Sequence, residues 1–445
     1  MTILKIDLTK TEGKIKPMNA VNNGPIGGKT RNNGNFQLYK EAEIPYARNH
    51  DAAFCADYGS EFSVDIHNIF RNFDADENDP SSYIFTATDE YVKTTADAGT
   101  ETFYRLGSKI EHGFKFGTYP PKDFAKWARI CEHIIRHYNE GWADGFTYNI
   151  KYWEIWNEPD CQNADGSFPC WQGTEEQFID LYEITAKHLK KCFPNLKIGG
   201  PAFCGPWRND FKRGFLKAVK EREIPLDFYS YHCYAKEPIG IGEAVIEAEN
   251  ALSEYGLDGT FTILDEWNYV KGWLGDDWRY TLIQEKGIKG AAFIAGTMSI
   301  CQNTSLGMLM YYDARPCGMN GLFNAYTYEP LKGYYSFLMF RELRRLGIHI
   351  PTERYVDDIY SCAATDGSNS AIMLTHFNDD DNTPAKEVKL EIAGNMNNAK
   401  LEYYLLDETH NLELVREEVV TAERFASYLK MDNYTNILIK IKPMQ

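Results

Sequence analysis

Short apolar runs alternate with amphipathic stretches over the first three quarters of the chain. Eight runs have the length and composition of buried strands, and they lie near residues 16–21, 44–48, 102–106, 149–156, 196–201, 226–232, 261–265 and 307–312. Most intervals between them show helical spacing of apolar residues, as at Trp127, Cys131, Ile134 and Tyr138. This repetition predicts a parallel sheet closed into a (β/α)8, or TIM, barrel.

Further helices are predicted in the same intervals. Thr174 and Gln177 form a capping-box pattern ahead of an apolar face that continues to Cys192. Helical periodicity recurs over residues 209–221, 242–254, 284–300 and 331–345. Each of these stretches leads into or out of a predicted strand, as the barrel requires.

The pattern changes after Gly347. Short alternating runs at 370–376, 388–392, 401–406 and 436–441 are separated by turns rich in Asp, Asn and Gly, which predicts an antiparallel β-sandwich. The opening run 2–8 also alternates and is expected to add a strand to it. The predicted organisation is therefore an N-terminal strand segment at 1–15, a catalytic barrel at 16–346 and a β-sandwich accessory domain at 347–445.

Composition narrows the functional classes. The 64 acidic residues exceed the 47 Lys and Arg residues, and the formal net charge is −17. This charge repels phosphate backbones and anionic lipid surfaces, so neither nucleic acid nor a membrane is an expected partner. Aromatic residues make up 14% of the chain, which suits the binding of sugar faces, although the core of a large barrel also needs them.

The start of the chain and its cysteines bear on the compartment. No apolar run resembles the core of a signal peptide, so a cytoplasmic protein is expected, the alternative being a leader already removed. The 10 cysteines show no C-x-x-C spacing. Cys161 and Cys170 could bridge a loop, but reduced thiols are expected in the cytosol. His133 and His137 lack the adjacent Glu of a metalloprotease motif, so no metal and no cofactor are predicted.

Two predicted strands end in carboxylates. Residues 152–160 read YWEIWNEPD, where Pro159 ends the strand and places Asn157 and Glu158 at the C-terminal mouth of the barrel. A second apolar run, 261–264, is followed by Asp-Glu-Trp-Asn at 265–268. Glycoside hydrolysis needs one protonated carboxyl and one carboxylate across the scissile bond, and this pair provides them. The alternative is two unrelated surface turns.

These motifs resemble clan A glycoside hydrolases, and most closely glycoside hydrolase family 39, which contains β-xylosidases and α-L-iduronidases. The resemblance is carried by the Trp-Asn-Glu-Pro-Asp string at 156–160, its spacing to Glu266, the segment 16–25 and Arg48-Asn-His-Asp51. It implies that Glu158, after the fourth strand, is the acid/base and that Glu266, after the seventh, is the nucleophile. It also implies that Asn157 holds the sugar 2-hydroxyl.

One position departs from the family pattern. Relatives commonly have a small hydroxylated residue before the nucleophile, whereas this chain has Asp265. Asp265 could compete as the nucleophile. Because neighbouring side chains on a strand point to opposite faces, only one of Asp265 and Glu266 is expected to face the cavity, and the motif favours Glu266.

Other residues near the strand ends are candidates for substrate binding. Arg48 could bind the nucleophile carboxylate or form a structural ion pair, and Asp51 could bind a sugar hydroxyl. His232 and Tyr234 share a strand face, so both could point into the barrel mouth. The predicted substrate-binding set is Asn157, His50, Asp51, Arg48, His232, Tyr234, Trp267 and Tyr312.

The sequence thus predicts a retaining glycoside hydrolase that cleaves a terminal neutral β-linked sugar by double displacement, with β-xyloside as the leading substrate. The alternatives are another exo-glycosidase specificity (β-glucosidase, β-galactosidase, arabinosidase or iduronidase-like), an inverting mechanism, or a noncatalytic carbohydrate-binding barrel. The expected partner is a small glycoside or oligosaccharide. A homo-oligomer is compatible with the sequence, and the role of the β-sandwich stays open.

Overall fold

The computed structural model describes residues 1–26, 34–50, 64–108, 118–394, 396 and 398–444. A first strand, β1 (Thr2–Asp7), precedes eight strands that form a closed parallel barrel in chain order. The barrel strands are β2 (Ala20–Asn22), β3 (Tyr46–Asn49), β4 (Glu101–Leu106), β5 (Tyr152–Ile155), β6 (Lys197–Phe203), β7 (Phe228–Ala235), β8 (Phe261–Tyr269) and β9 (Met308–Tyr311). The predicted (β/α)8 barrel is confirmed.

Helices surround the barrel and cover the outer faces of its strands. They are α1 (Phe36–Glu41), α2 (Ile66–Ile69), α3 (Thr86–Asp97), α4 (Phe124–Glu140), α5 (Glu175–Cys192), α6 (Asp210–Glu221), α7 (Pro238–Glu254), α8 (Gly275–Gln284), α9 (Ile288–Gln302) and α10 (Lys332–Leu346). The capping box predicted at Thr174 and Gln177 is present at the start of α5.

Two helix boundaries differ from the sequence prediction. The helix predicted at 242–254 begins earlier, at Pro238, because proline fits the first turn, where no intrahelical N–H partner is needed. The helix predicted at 284–300 begins later, at Ile288, because α8 ends at Gln284 and a short break separates it from α9. Apolar periodicity alone does not register this break.

The C-terminal region is rich in strands, as predicted. Its strands are β10 (Ile348–Ile350), β11 (Tyr355–Val356), β12 (Ile359–Thr365), β13 (Ser370–His376), β14 (Lys386–Ala393), β15 (Ala399–Leu406), β16 (Asn411–Val420), β17 (Arg424–Met431) and β18 (Asn436–Pro443). One sheet has the order β1-β14-β17, and the other has β10-β12-β13-β18-β15-β16 with β11 beside β12. The two sheets enclose a separate apolar core around Leu4, Ile372, Leu390 and Ile439.

Strand β1 lies in this C-terminal region although it opens the chain. It pairs with β14 in parallel, with Leu4 opposite Leu390, whereas β14 pairs with β17 antiparallel. Leu4 and Ile6 point into the core between the sheets and are almost completely buried. The exact domain bounds of 1–15, 16–346 and 347–445 stay a prediction.

Helix α9 connects the barrel to the sheets. All residues from Lys289 to Gln302 are buried, because α9 packs against α7 and α10 and also against β12 and β13. A helix buried on all sides reads as uniformly apolar and not as amphipathic. Across the described ranges, no helix combines the length with the apolar composition that crossing a membrane requires.

Candidate active site

The backbone leaves β5 in a sharp turn that exposes its final polar residues to the barrel mouth. Trp156 and Glu158 have φ values of 80° and 47°, a left-handed backbone conformation that residues other than glycine rarely adopt. The N–H of Glu158 donates to the carbonyl of Ala202 on β6 at 2.8 Å, which fixes the turn. Asn157 and Glu158 are thereby 3% and 6% exposed, at the floor of a cavity.

Strand β8 carries an extra residue at the corresponding height. Tyr231 of β7 pairs with Leu264, but His232 pairs with Glu266, so Asp265 forms a bulge. The bulge breaks the expected alternation, and both acids contact Arg48, at 3.3 Å from Asp265 Oδ2 and 2.8 Å from Glu266 Oε1. The prediction that only one of the two acids faces the cavity agrees with the structure, but strand alternation is not the reason, because Asp265 also points inward toward Arg48. Only Glu266 of the two lines the cavity.

Glu158 and Glu266 come close together across the barrel mouth. One carboxylate oxygen of each lies within 4.8 Å of the other. The Nδ1 atom of His232 lies between them, 2.8 Å from Glu158 Oε1 and 3.4 Å from Glu266 Oε2. An imidazole nitrogen accepts a hydrogen bond in one tautomer and donates one in the other. His232 can therefore form a hydrogen bond with Glu158 whether Glu158 is protonated or ionised.

Three further groups fix the carboxylate of Glu266. Arg48 Nη1 donates to Oε1 at 2.8 Å, and the Tyr234 hydroxyl donates to Oε2 at 2.9 Å. His50 Nε2 lies 3.1 Å from Oε1. Burial, followed by the charges of Arg48 and Arg105, holds the pKa of His50 well below its usual range, so His50 is neutral. Donors from opposite sides therefore hold Glu266 in one orientation.

Arg48 is the central cation of the site and is completely buried. It donates from Nε to Glu154 Oε2 at 2.7 Å and from Nη2 to Asn157 Oδ1 at 2.6 Å. Burial alone lowers the pKa of Arg48, but the carboxylates of Glu154, Asp265 and Glu266 outweigh burial and raise it. Because the Asn157 oxygen is taken by Arg48, its amide nitrogen is turned away from the arginine.

Beneath the cavity, Glu154 is the charged acid and Asp265 is the neutral one. Ser230 donates to Glu154 Oε1 at 2.6 Å. Burial raises the pKa of Glu154, but Arg48 and these hydrogen bonds outweigh it and lower the pKa. Burial, together with the charge of Glu154, raises the pKa of Asp265 well above its usual range. Glu154 is therefore the counter-ion of Arg48, and Asp265 is neutral.

The cavity above these groups has a volume of about 510 Å³, within the range of small-molecule sites. Trp207 and Trp273 form exposed aromatic walls, with 59% and 53% of their surfaces open to solvent. Trp273 packs edge-on against Tyr234 with ring centroids 5.0 Å apart. The described lining residues, which include neither Lys nor Arg, are His50, Asn157, Glu158, Cys204, Gly205, Pro206, Trp207, His232, Cys233, Tyr234, Glu266, Trp273, Tyr312 and Met319.

The structure brings seven of the residues predicted from sequence to this cavity: His50, Asn157, Glu158, His232, Tyr234, Glu266 and Tyr312. The assignment of Trp267 to substrate binding is wrong, because its ring is completely buried outside the barrel between Phe293 and Tyr311. Arg48 is not among the lining residues but lies beneath the cavity, where it holds Glu266 and Asn157. Asp51 lies outside the described residues.

Some residues of the site are absent from the sequence prediction. Glu154 lies in the segment 152–160 described above. It is a charged residue within an otherwise apolar strand, and this contrast is the signal that could have identified it. Trp207 and Met319 reach the cavity from loops, and no local pattern marks them. None of the nine described cysteines forms a disulfide bond, and this includes Cys161 and Cys170. His232 with the two glutamates has the spacing of metal ligands, but hydrogen bonds within the site already occupy these atoms.

Part of the chain is similar in sequence to curated glycosidases. A β-xylosidase from Geobacillus stearothermophilus is 30% identical over 184 residues, which are 38% of this chain and 34% of that protein. A human α-L-iduronidase is 27% identical over 164 residues, 34% of this chain and 24% of that protein. The matched segments thus span about a third or less of these curated relatives.

Solved structures show the same fold over the full chain. A glucosidase from Croceicoccus marinus superimposes with a TM-score of 0.80 at 20% identity, and both chains are covered completely. A monomeric β-xylosidase from Caulobacter crescentus gives 0.72 at 17% identity, also over 100% of both chains.

A family model places the chain more directly. The model of the family described as glycosyl hydrolases family 39 matches residues 4–262, more than half of the chain. This stretch contains most of β1, the barrel strands β2–β7 and the turn that carries Asn157 and Glu158. The chain therefore belongs to glycosyl hydrolases family 39.

Proposed function

We propose that this protein is a retaining glycosidase that removes a terminal neutral β-linked sugar, in the manner of a β-xylosidase, with Glu266 as nucleophile and Glu158 as acid/base. One observation carries the proposal. Two carboxylates on separate strand ends lie within 4.8 Å of each other at the floor of a cavity large enough for a small molecule. Both roles of a double displacement are then available at one anomeric carbon.

The short separation favours retention of configuration. Carboxyl groups about 5 to 5.5 Å apart leave room for direct attack on the sugar, whereas inverting enzymes need about 6.5 to 9.5 Å to admit a water molecule. The oxygens of Glu158 and Glu266 approach within 4.8 Å. This distance supports a covalent glycosyl intermediate and argues against the inverting alternative.

The contacts of the two acids support different roles. Glu266 receives hydrogen bonds from Arg48 and Tyr234, and donors of this kind favour the ionised form that attacks carbon. Arg48 does not neutralise the site, because Glu154 is its closest counter-ion. Glu158 pairs instead with His232, which accommodates both of its protonation states. Glu266 is thus suited to attack and Glu158 to proton transfer.

The proposed reaction has two steps. First, the Glu266 carboxylate bonds to the anomeric carbon while Glu158 gives its proton to the departing glycosidic oxygen, which leaves a glycosyl ester and a free alcohol. Second, ionised Glu158 takes a proton from water as the water oxygen attacks the same carbon and releases Glu266. Two inversions restore the original configuration, and both acids return to their starting states.

Asn157 is proposed to bind the sugar 2-hydroxyl. Its oxygen is held by Arg48 at 2.6 Å, so the amide nitrogen is available as a donor at the cavity floor next to Glu158. A hydrogen bond to the 2-hydroxyl gains strength as positive charge develops on the ring, and such a bond lowers the barrier more than it tightens substrate binding.

The lining of the cavity supports a neutral sugar. A substrate carboxylate, as in an iduronide, calls for a basic partner, yet the described lining residues include no Lys or Arg. The relatives named β-xylosidase match this chain at 30% and 28% identity. A β-xyloside is therefore the proposed substrate, and other neutral exo-glycosides are the alternatives to be compared.

The test compares nitrophenyl β-xyloside with the corresponding glucoside, galactoside, arabinoside and iduronide. We expect the xyloside to give the highest kcat/KM and Glu266→Gln to lower it by at least about 10³-fold. Proton NMR of the first product should show the β-anomer. Glu249→Gln, on the outer helix α7, is the matched control and should keep wild-type turnover.

Azide separates the roles of the two acids. With Glu266→Ala, azide attacks the substrate directly and should give the α-glycosyl azide. With Glu158→Ala, azide attacks the covalent intermediate and should give the β-glycosyl azide. The reverse pattern would exchange the two assignments, and silence of the wild type on every glycoside would favour a noncatalytic sugar-binding barrel.

A further inference from the structure

Two thiols lie beside the acid/base carboxylate. The sulfur atoms of Cys161 and Cys204 and one carboxylate oxygen of Glu158 all lie within 4.8 Å of one another. Cys204 is exposed and lines the cavity, and Cys161 is partly exposed, so an ion can reach the group from solvent.

The backbone around these thiols is firmly held. Asp160, which precedes Cys161, accepts the backbone N–H of Cys204 through Oδ1 at 2.9 Å. Its other oxygen accepts from Asn209 at 3.0 Å and pairs with Lys212 at 2.9 Å, and its side chain is almost completely buried. Asp160 therefore joins the loop after β5 to the end of β6, and it is the reason that the two sulfurs meet.

We propose that Cys161, Cys204 and Glu158 form a binding site for a thiophilic divalent cation of the Zn²⁺ class, and that occupation of this site inhibits the enzyme. Two thiolates and one carboxylate are a ligand set that zinc accepts, with a water molecule completing the tetrahedron. The cation-binding part of the proposal stands on the three ligand atoms alone. The inhibition rests on the acid/base role proposed for Glu158.

The geometry needs only small side-chain movements to accept the ion. Two sulfurs bound to one tetrahedral zinc at about 2.3 Å each are about 3.8 Å apart. The three ligand atoms already lie within 4.8 Å, so rotations that shift them by about 1 Å close the site. The fourth position then faces the cavity, where Cys204 contacts the solvent-filled space.

A bound cation is expected to inhibit because it prevents proton transfer by Glu158 and adds positive charge to the site. A carboxylate bound to Zn²⁺ can neither carry a proton to the leaving oxygen nor take one from water. The ion would also place a positive charge beside the anomeric carbon, where positive charge develops in the transition state. Both effects slow the same reaction, and a chelator should reverse them.

A second group of possible metal ligands, which contains one thiol, provides the matched control. Cys192, His188 and Glu132 also have ligand atoms within 4.8 Å of one another, but they lie on helices α4 and α5, away from the cavity. Cys192→Ser removes a thiol from a possible cation site without touching the site of catalysis. Cys161→Ser is the corresponding change beside Glu158.

The experiment measures binding and activity separately. Cd²⁺ is titrated into reduced protein while the ultraviolet charge-transfer band between thiolate and cadmium is recorded. We expect a saturable band that Cys161→Ser and Cys204→Ser each reduce by at least half and that Cys192→Ser leaves in place. A band lost only in Cys192→Ser would overturn the proposal. This readout does not depend on glycosidase activity.

The activity arm uses Zn²⁺ with the aryl glycoside that the wild type hydrolyses best. Zn²⁺ should inhibit the wild type and Cys192→Ser, EDTA should restore both, and Cys161→Ser should need a Zn²⁺ concentration higher by about tenfold or more. Equal inhibition of wild type and Cys161→Ser would overturn the proposal. So would an activity loss that dithiothreitol reverses and EDTA does not, since that result indicates a disulfide between Cys161 and Cys204.

Discussion

Arg48 in the barrel and Lys289 between the barrel and the C-terminal sheets are buried cations that each pair with more than one carboxylate. Lys289 Nζ binds the side chain of Asp379 at 2.8 Å and that of Asp381 at 3.0 Å. Both cations are completely or almost completely buried, and hydrogen bonds with acids raise the pKa of each against the effect of burial. The chemistry of the two centres is similar, but their carboxylates differ.

At Lys289, Asp381 is held in its ionised form. Tyr280 donates to Asp381 at 2.5 Å and Tyr269 donates to Asp379 at 2.7 Å. Burial raises the pKa of Asp381, but the hydroxyls of Tyr280 and Tyr434 and the charge of Lys289 outweigh it and lower the pKa to about 2. The Asp381 side chain is also 53% exposed, so water stabilises its charge. This centre ties α9 to the loop after β13.

At Arg48, water does not reach the acids in the same way. Glu154 and Asp265 have completely buried side chains, and burial, followed by the charge of Glu154, raises the pKa of Asp265 and keeps it neutral. Glu266 alone extends to the cavity, where its second oxygen is held by Tyr234. The two centres therefore differ in one respect: at Arg48 one acid, Glu266, is fixed by donors and faces an accessible space.

The largest effect is expected from removing the two cations. Arg48→Met and Lys289→Met each leave carboxylates without their partner, which costs about 3 to 5 kcal/mol of unfolding free energy. Only Arg48→Met should also lower kcat/KM, by about 10³-fold or more, because it releases Glu266 and Asn157. Urea unfolding and nitrophenyl glycoside kinetics on the folded variants measure the two effects.

A less disruptive substitution is needed in case Arg48→Met does not fold. Arg48→Lys keeps the positive charge, but an ammonium group cannot reach Glu154, Asn157 and Glu266 together. We expect it to retain most of the stability and to lose turnover by about 10²-fold. Equal turnover losses in Lys289→Met and Arg48→Lys would show that the two centres do not differ in function.

The second comparison concerns the two aspartates closest to these cations. Asp265→Asn replaces an acid that is already neutral, so it should change the unfolding free energy by less than about 1 kcal/mol. Asp379→Asn removes the closest charge from Lys289 and should cost about 2 to 3 kcal/mol. Denaturant unfolding at pH 7 measures both.

Asp265→Asn also tests whether Glu266 or Asp265 is the nucleophile. If Glu266 is the nucleophile, Asp265→Asn keeps measurable turnover and forms a covalent intermediate on Glu266. A mechanism-based fluoro-sugar label recovered on residue 265 of the wild type would instead assign the nucleophile to Asp265. Mass spectrometry of the labelled peptide distinguishes these results.

The barrel was predictable from the sequence because its strands are short apolar runs at regular intervals, and all eight lie where the pattern places them. The motif residues at the ends of β5 and β8 were predictable for a related reason, since proline and acids after an apolar strand mark its end. Strand β16, by contrast, is mostly exposed and rich in Glu, so it lacks the alternation that reveals a strand.

The errors at the site come from facts that a linear pattern does not contain. The bulge at Asp265 changes which side chains face inward, and only the pairing of β7 with β8 shows it. Trp267 follows the nucleophile candidate in sequence, yet it packs on α9 because it has the opposite orientation on β8. Trp207 reaches the cavity from a loop whose path depends on Asp160 and the residues around it.

The third comparison concerns one hydroxyl at each centre. Tyr234→Phe removes a donor to the Glu266 carboxylate and should lower kcat/KM by about 10- to 100-fold, because a hydrogen bond to a charged group contributes about 1.5 to 3 kcal/mol. Tyr280→Phe removes a donor to Asp381 and should cost about 1 kcal/mol of stability with turnover unchanged. A turnover loss in Tyr280→Phe similar to that in Tyr234→Phe would contradict the distinction between the centres.

The smallest effect is a pH dependence of stability at the Lys289 centre. The pKa of Asp381 is lowered to about 2 in the folded protein from its ordinary value of 3.8, so the unfolded chain binds the proton more readily. The stabilisation is complete above the unfolded value and disappears as the pH falls through about 2. Because Asp381 is half exposed, solvent screening keeps the contribution below about 1 kcal/mol.

Asp381→Asn tests this dependence against the wild type. The thermal midpoint of the wild type should exceed that of the variant between pH 5 and 7, and the difference should shrink as the pH approaches 2. Turnover at pH 6 should be the same in both, because Asp381 lies far from the cavity lining. A midpoint difference that stays constant down to pH 2 would mean that the ionised form of Asp381 does not stabilise the contact between α9 and the sheets, and the contrast with the neutral Asp265 would then lose its basis.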